Sequence, residues 1–65
     1  MKLRIGDIVC VSDSARKQSQ KEFGKLHSKA GIVTDISCHC SPPLVTVKHA
    51  DGDCVDWHFR SVKPI

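Results

Sequence analysis

The chain has 65 residues, of which 40% are apolar and 26% charged, with a formal net charge of +3. That length makes one small domain that buries only about 60% of the surface its unfolded chain exposes, which excludes a second domain and leaves a thin core. The apolar content excludes a disordered chain, and no apolar run approaches the roughly 20 residues that a membrane span requires.

The opening Met1-Lys2-Leu3-Arg4-Ile5-Gly6-Asp7 lacks the apolar stretch of a secretory signal, so the expected location is the cytoplasm. There Cys10, Cys38, Cys40 and Cys54 are expected to be reduced thiols rather than a disulfide frame. Ile8-Val9-Cys10-Val11 is rich in β-branched residues and follows the turn-prone Gly6-Asp7, which predicts a first strand over residues 7–12 with Val9 and Val11 facing inward.

The next stretch, residues 12–29, holds the whole net charge: Arg16, Lys17, Lys21, Lys25 and Lys29 stand against Asp13 and Glu22, while the basic and acidic residues elsewhere balance. Ser12 or Asp13 can cap a short helix that runs to Phe23 and is stopped by Gly24. On that helix Arg16, Lys17 and Lys21 lie broadly on one side, with Phe23 and Leu26 expected to dock on the body of the domain.

A second strand is predicted over residues 30–36, with Gly31 allowing a close backbone approach or a bend. Residues 37–43 break regular structure, because Pro42-Pro43 removes two backbone donors. A third strand follows over residues 44–49. A two-residue Asp51-Gly52 loop would set Val47 opposite Asp56 and mix core with solvent on one face. A three-residue loop over residues 50–52, with Gly52 in the left-handed region, instead pairs Val47 with Val55 and Val45 with Trp57. It turns Val45, Val47, Val55, Trp57 and Phe59 inward, and Thr46, Lys48, Cys54, Asp56 and His58 outward. His49 beside Asp53, and His58 near Asp56 and Arg60, then read as surface pairs. The tail makes a short turn that returns Val62 to the core and ends in a brief closing strand.

Four to five short antiparallel strands with one long early excursion are too few for a sandwich and enough for a small barrel. The run Gly6-Asp7-Ile8-Val9-Cys10-Val11, then Gly31-Ile32-Val33 with Ile36, Val45-Thr46-Val47 followed by Asp51-Gly52, and Trp57-His58-Phe59-Arg60 with Val62 resembles SH3-like barrels. These include KOW-type modules and short phage- or plasmid-encoded barrel proteins. The resemblance implies a mainly β fold, a single SH3-like barrel over residues 1–65, carrying the basic segment 12–29 as an insert between strands 1 and 2. It also implies a binding or scaffold role. KOW-type modules join these strands by a short loop, so the basic segment is a departure from them.

The insert predicts contact with nucleic-acid phosphates through Arg16, Lys17, Lys21, Lys25 and Lys29, with Phe23 as the one aromatic placed to stack on a base. With Trp57 and Phe59 committed to the core, backbone tracking is favoured over base recognition. The other reading is a protein-binding adaptor, or an inhibitor of a host complex encoded by a phage or mobile element, that meets an acidic protein surface. Against both stands a solvated insert whose charge only aids solubility.

Cys38-His39-Cys40 offers zinc-type ligands, with Cys54, His49, His58 and His27 as possible additions, but a structural zinc site draws on two paired groups and the chain has one. His49 and Cys54 lie at the far end of the third strand, roughly 20 Å away, so no metal and no cofactor are expected within one chain. A catalytic Cys-His pair would need a thiolate, a base within reach and a pocket. The opening Gly6-Asp7-Ile8-Val9 is similar to that of type II dihydrofolate reductases. Their active-site Val-Gln-Ile-Tyr is replaced here by Asp53-Cys54-Val55-Asp56-Trp57-His58, so an enzyme is not expected.

Overall fold

The computed structural model describes residues 3–39, 41 and 43–65. The described chain is mainly β. Its elements are β1 (Ile8–Val11), α1 (Asp13–Phe23), β2 (Ala30–Ser37), β3 (Leu44–His49), β4 (Cys54–His58), a 3₁₀ turn (Phe59–Ser61) and β5 (Val62–Pro64). The five strands form one antiparallel sheet in the order β4-β3-β2-β1-β5.

The inner face of this sheet is almost entirely valine. Val9 and Val11 of β1, Val33 of β2, Val45 and Val47 of β3, Trp57 of β4 and Val62 of β5 are the buried apolar side chains. Alternation along each strand produces this face, with one adjustment in β2. Val33 pairs with Val47, but the register then slips so that Asp35 opposes Thr46 and Ile36 opposes Val45. The extra residue at Thr34 is a β-bulge. It lets Ile36 continue the inner face three positions after Val33, where strict alternation would have placed Asp35.

The β3–β4 hairpin has the three-residue loop read from the sequence. Val47 pairs with Val55, Val45 with Trp57 and Lys48 with Cys54, and Gly52 has φ of 91°. Val55 and Phe59 pack against the core only half-buried. Gly31 is a close approach: a Cβ there would meet Lys48 O at 2.7 Å and Val47 Cγ1 closer still.

The insert contains the predicted helix. Ser12 caps α1 by accepting from Ala15 N–H at 3.3 Å, and Gly24, at φ of 73°, ends it with its N–H bonded to Gln20 O. The docking face differs from expectation. Ala15 and Ser19, small residues four apart, turn toward the sheet, whereas Phe23 is 71% exposed and Leu26 also faces solvent. A short helix held close by small side chains leaves no room beneath it for larger ones.

The ladders do not close. β4 and β5 are the sheet edges, and among the described residues no ladder joins them. The chain between them is spent on the 3₁₀ turn, and α1 lies beside β4, tied to that turn by Ser12 N–H donating to Ser61 O at 2.8 Å. No helix among the described residues is long and apolar enough to cross a membrane.

Candidate functional site

Where the hairpin loop turns back, the segment between α1 and β2 crosses it, and two imidazoles meet there. His49 continues the inward positions of β3 after Val45 and Val47 and is only 2% exposed. His27, just before β2, is 5% exposed and stacks on it with ring centroids 5.1 Å apart. Trp57 stands edge-on to both rings, at 6.2 Å from His27 and 5.7 Å from His49.

The partners of His49 assign its tautomer. Trp57 Nε1–H, which can only donate, lies 2.9 Å from His49 Nε2, and Ser28 O, which can only accept, lies 2.9 Å from Nδ1. His49 is therefore neutral with its proton on Nδ1. Burial accordingly pushes its pKa below the usual imidazole value, against a smaller opposing effect of the Ser28 carbonyl. Ser28 locks the same corner through its hydroxyl, which donates to Ala30 O and accepts from Ala50 N–H. The expected surface pair of His49 with Asp53 is thus corrected: His49 is interior, and the two residues meet through backbone, His49 N–H donating to Asp53 O at 2.8 Å.

Above the imidazoles sit two carboxylates and an ammonium. Asp51 Oδ1 accepts from Asp53 N–H, an Asx turn that fixes the loop. Lys25 Nζ then lies 2.6 Å from Asp53 Oδ2 and 3.2 Å from Asp51 Oδ2. These contacts raise the Lys25 pKa, Asp53 contributing most. The Asp53 N–H, followed by Lys25, lowers that of Asp51. His27 Nδ1 faces the same carboxylate oxygens at 3.8 Å each. It is buried and has no hydrogen-bond partner.

The basic residues of the insert are divided by this geometry. Arg16 is half-buried: its Nε donates to His27 O at 3.0 Å and its Nη1 pairs with Asp13 at 3.0 Å. Lys25 is held by the two aspartates. The expected shared surface of five cations is therefore reduced, because Arg16 braces the insert internally and Lys25 fastens it to the hairpin loop. Lys17 and Lys21, one turn apart, are exposed on the side of α1 away from Ala15 and Ser19, and have no ion pair among the described residues. Lys29 lines a groove of about 220 Å³ with Lys63, Cys10, Ser12, Asp13 and Ser61. Phe23 lies at the mouth of a larger groove, about 500 Å³, shared with Lys25, His27 and Asp53.

Cys38 and His39 are exposed at the end of β2, and Cys40, like Pro42, lies outside the described residues. The described cluster of metal-type side chains is a different one, His27 with Asp51 and Asp53, whose ligand atoms lie within 4.8 Å of one another. The inward alternation of β3 could have marked His49 and the hairpin register could have placed the aspartates. No local pattern marks His27. No protein-family model, curated protein or solved structure matches this chain.

Proposed function

We propose that the domain is a non-enzymatic binding module that contacts nucleic-acid phosphates. The observation that carries this reading is the groove where Lys29, just before β2, and Lys63 of β5 flank the first turn of α1. A helix N-terminus offers unpaired N–H groups and a partial positive charge. The one carboxylate in the groove, Asp13, is engaged with Arg16. Lys17 and Lys21 extend the positive surface along the outer side of the helix, and Phe23 is free to stack. The contact set is therefore Lys17, Lys21, Lys29 and Lys63, with Arg16 and Lys25 in structural roles. The strand order, the bulged β2 and the 3₁₀ turn before β5 support an SH3-like half-barrel as the scaffold, and a cytoplasmic location suits both the partner and the free thiols.

Four phosphate contacts give a salt dependence of about −3.6 in log K against log salt on duplex DNA, or about a hundredfold loss over a roughly fourfold rise in salt. Fluorescence anisotropy with duplex and single-stranded oligonucleotides measures this directly. The double substitution Lys29→Gln/Lys63→Gln should reduce the slope by about two. Absence of any complex at micromolar protein in low salt would overturn the reading.

One observation favours a protein partner instead. On the outer face of the sheet Ile32 pairs with both Ile8 and Lys48, and Ile65 N–H donates to Ile8 O. Ile8 and Ile32 are 57% and 49% exposed. This apolar row with a lysine at its end fits an acidic protein surface, as for an adaptor or an inhibitor of a host complex carried by a phage or mobile element. Capture of one defined protein, insensitive to nuclease and lost in Ile32→Lys, would replace the nucleic-acid reading.

A further inference from the structure

The arrangement around His27 contains a mismatch. The carboxylates of Asp51 and Asp53 are satisfied by Lys25, yet the buried His27 Nδ1 that faces them has no partner. The Lys25 ammonium is spent on the two carboxylates and makes no hydrogen bond to the His27 nitrogen. A metal ion bonds to both kinds of atom, because a neutral imidazole nitrogen and a carboxylate oxygen each supply a lone pair.

We propose that His27 Nδ1, Asp51 and Asp53 form a binding site for a divalent first-row transition-metal ion, with Lys25 as a resident cation that the incoming ion displaces. The distances suit this. Bonds of about 2.1 Å hold neighbouring ligand atoms roughly 3.0–3.4 Å apart in octahedral or tetrahedral geometry. His27 Nδ1 stands 3.8 Å from each carboxylate oxygen, so closing on an ion takes a shift of about half an ångström. The supporting contacts are already in place. Asp51 is oriented by Asp53 N–H, and the His27 ring is held between the His49 face and the Trp57 edge, as ligands of a metal site are held by their surroundings.

Lys25 can leave while the segment keeps its other ties, Arg16 Nε to His27 O and Ala50 N–H to the Ser28 hydroxyl. The Lys25 side chain is half-exposed, and it follows Gly24, whose left-handed conformation ends α1. The ligand set of one nitrogen and two oxygens suits Mn²⁺ through Ni²⁺ better than thiolate-seeking ions. The three protein ligands leave further positions of the ion for water or a bound molecule.

Mn²⁺ is the probe, since Cys10, Cys38 and Cys54 are free thiols that would compete for zinc. Titrated into ¹⁵N-labelled protein, Mn²⁺ should broaden the indole N–H of Trp57 and the amides of residues 25–28 and 50–54 before all others. Asp51→Asn and His27→Gln should each weaken this at least tenfold and Lys25→Met should strengthen it by about tenfold. A merely acidic surface patch would respond to the first and last but not to His27→Gln, so binding that survives His27→Gln would overturn the site. Amide dispersion in the same spectra reports whether each variant is folded. Should His27→Gln fail to fold, the imidazole ¹⁵N spectrum of the wild-type protein with Mn²⁺ replaces it, and the His27 resonances must broaden before those of His39 and His58. Broadening that spreads over the surface, survives Asp51→Asn, or is unchanged by Lys25→Met would overturn the site.

Discussion

The interior of this domain has two halves that are built on different physics. One is a layer of valines from β1, β2, β3 and β5, held by packing that has no preferred direction. The other is the corner of His27, Ser28, His49 and Trp57, where each ring position is set by a directional contact. Trp57 belongs to both, with its ring in the core and its N–H on His49. Large apolar residues such as Ile8, Phe23, Leu26 and Ile32 stay exposed rather than packing inside, and the polar corner completes what the valines leave open. The difference implies that damage to the valine half should cost more but show no pH signature. Damage to the imidazole half should cost less and alter the response to pH.

The sharpest way to break the valine half is Gly31→Ala. The added methyl would meet the Lys48 carbonyl oxygen at 2.7 Å, and Val47 as well, and a backbone oxygen in a ladder has nowhere to move. A loss of about 3 kcal/mol is expected, close to the whole stability of a domain of this size. Circular dichroism should show a largely unfolded protein at room temperature, and a cooperative melt near that of wild type would contradict the packing described. Val33→Ala removes a fully buried side chain without adding a clash, and should cost about 2–3 kcal/mol in urea unfolding with an unchanged m-value.

The valine half was legible in the sequence because a period of two is a strong signal. Val9 and Val11, Val45 and Val47, and the turn at Gly52 together allow only one hairpin register that keeps both faces consistent. Ser12 and Gly24 likewise bracketed α1. The imidazole half was hidden for a physical reason: histidine is read as a surface residue unless its partners are known, and those of His49 lie 8 and 21 residues away in the chain. The docking of α1 departs from expectation on similar grounds. Phe23 is the larger apolar residue, but Ala15 and Ser19 allow the closer approach.

Trp57→Phe separates the two roles of that residue. The ring still fills most of the core position, but His49 Nε2 loses its donor inside the protein, which should cost about 1–2 kcal/mol. Trp57 is the only tryptophan, so the measurement uses circular dichroism rather than fluorescence. The pH response of the wild-type protein follows from His49. Its folded-state pKa lies below the ordinary value of 6.5, so as pH falls below about 6.5 the unfolded chain takes up a proton that the folded one refuses. Stability should therefore be greatest above this value and decline as pH drops toward the folded pKa. Of the charged groups around the ring, His27 and Arg16 act in the same direction and Asp51 opposes them. Denaturant midpoints measured from pH 8 to 5 should fall in wild type and fall less steeply in Trp57→Phe, where the neutral ring has lost the bond that only it can accept. Equal slopes in the two proteins would mean that burial alone, and not the indole, keeps His49 neutral.

The smallest expected effect tests whether the corner is a network or a set of independent contacts. Ser28→Ala removes the hydroxyl that donates to Ala30 O, accepts from Ala50 N–H and lies 3.3 Å from His49 Nδ1, but it keeps the Ser28 carbonyl that is the closer partner of that nitrogen. Because Ala50 is exposed, water can replace the lost acceptor, and a cost of about 1 kcal/mol is expected. If the contacts are independent, this cost adds to that of Trp57→Phe within about 0.5 kcal/mol in the double variant. If the hydroxyl also steadies the Ser28 carbonyl beneath the imidazole, the double variant should lose less than the sum, because either substitution alone already loosens His49. A double-mutant cycle from urea midpoints distinguishes these outcomes. The corner's closely shared partners favour the second, since His49 touches both Ser28 and Trp57 through opposite nitrogens of one ring.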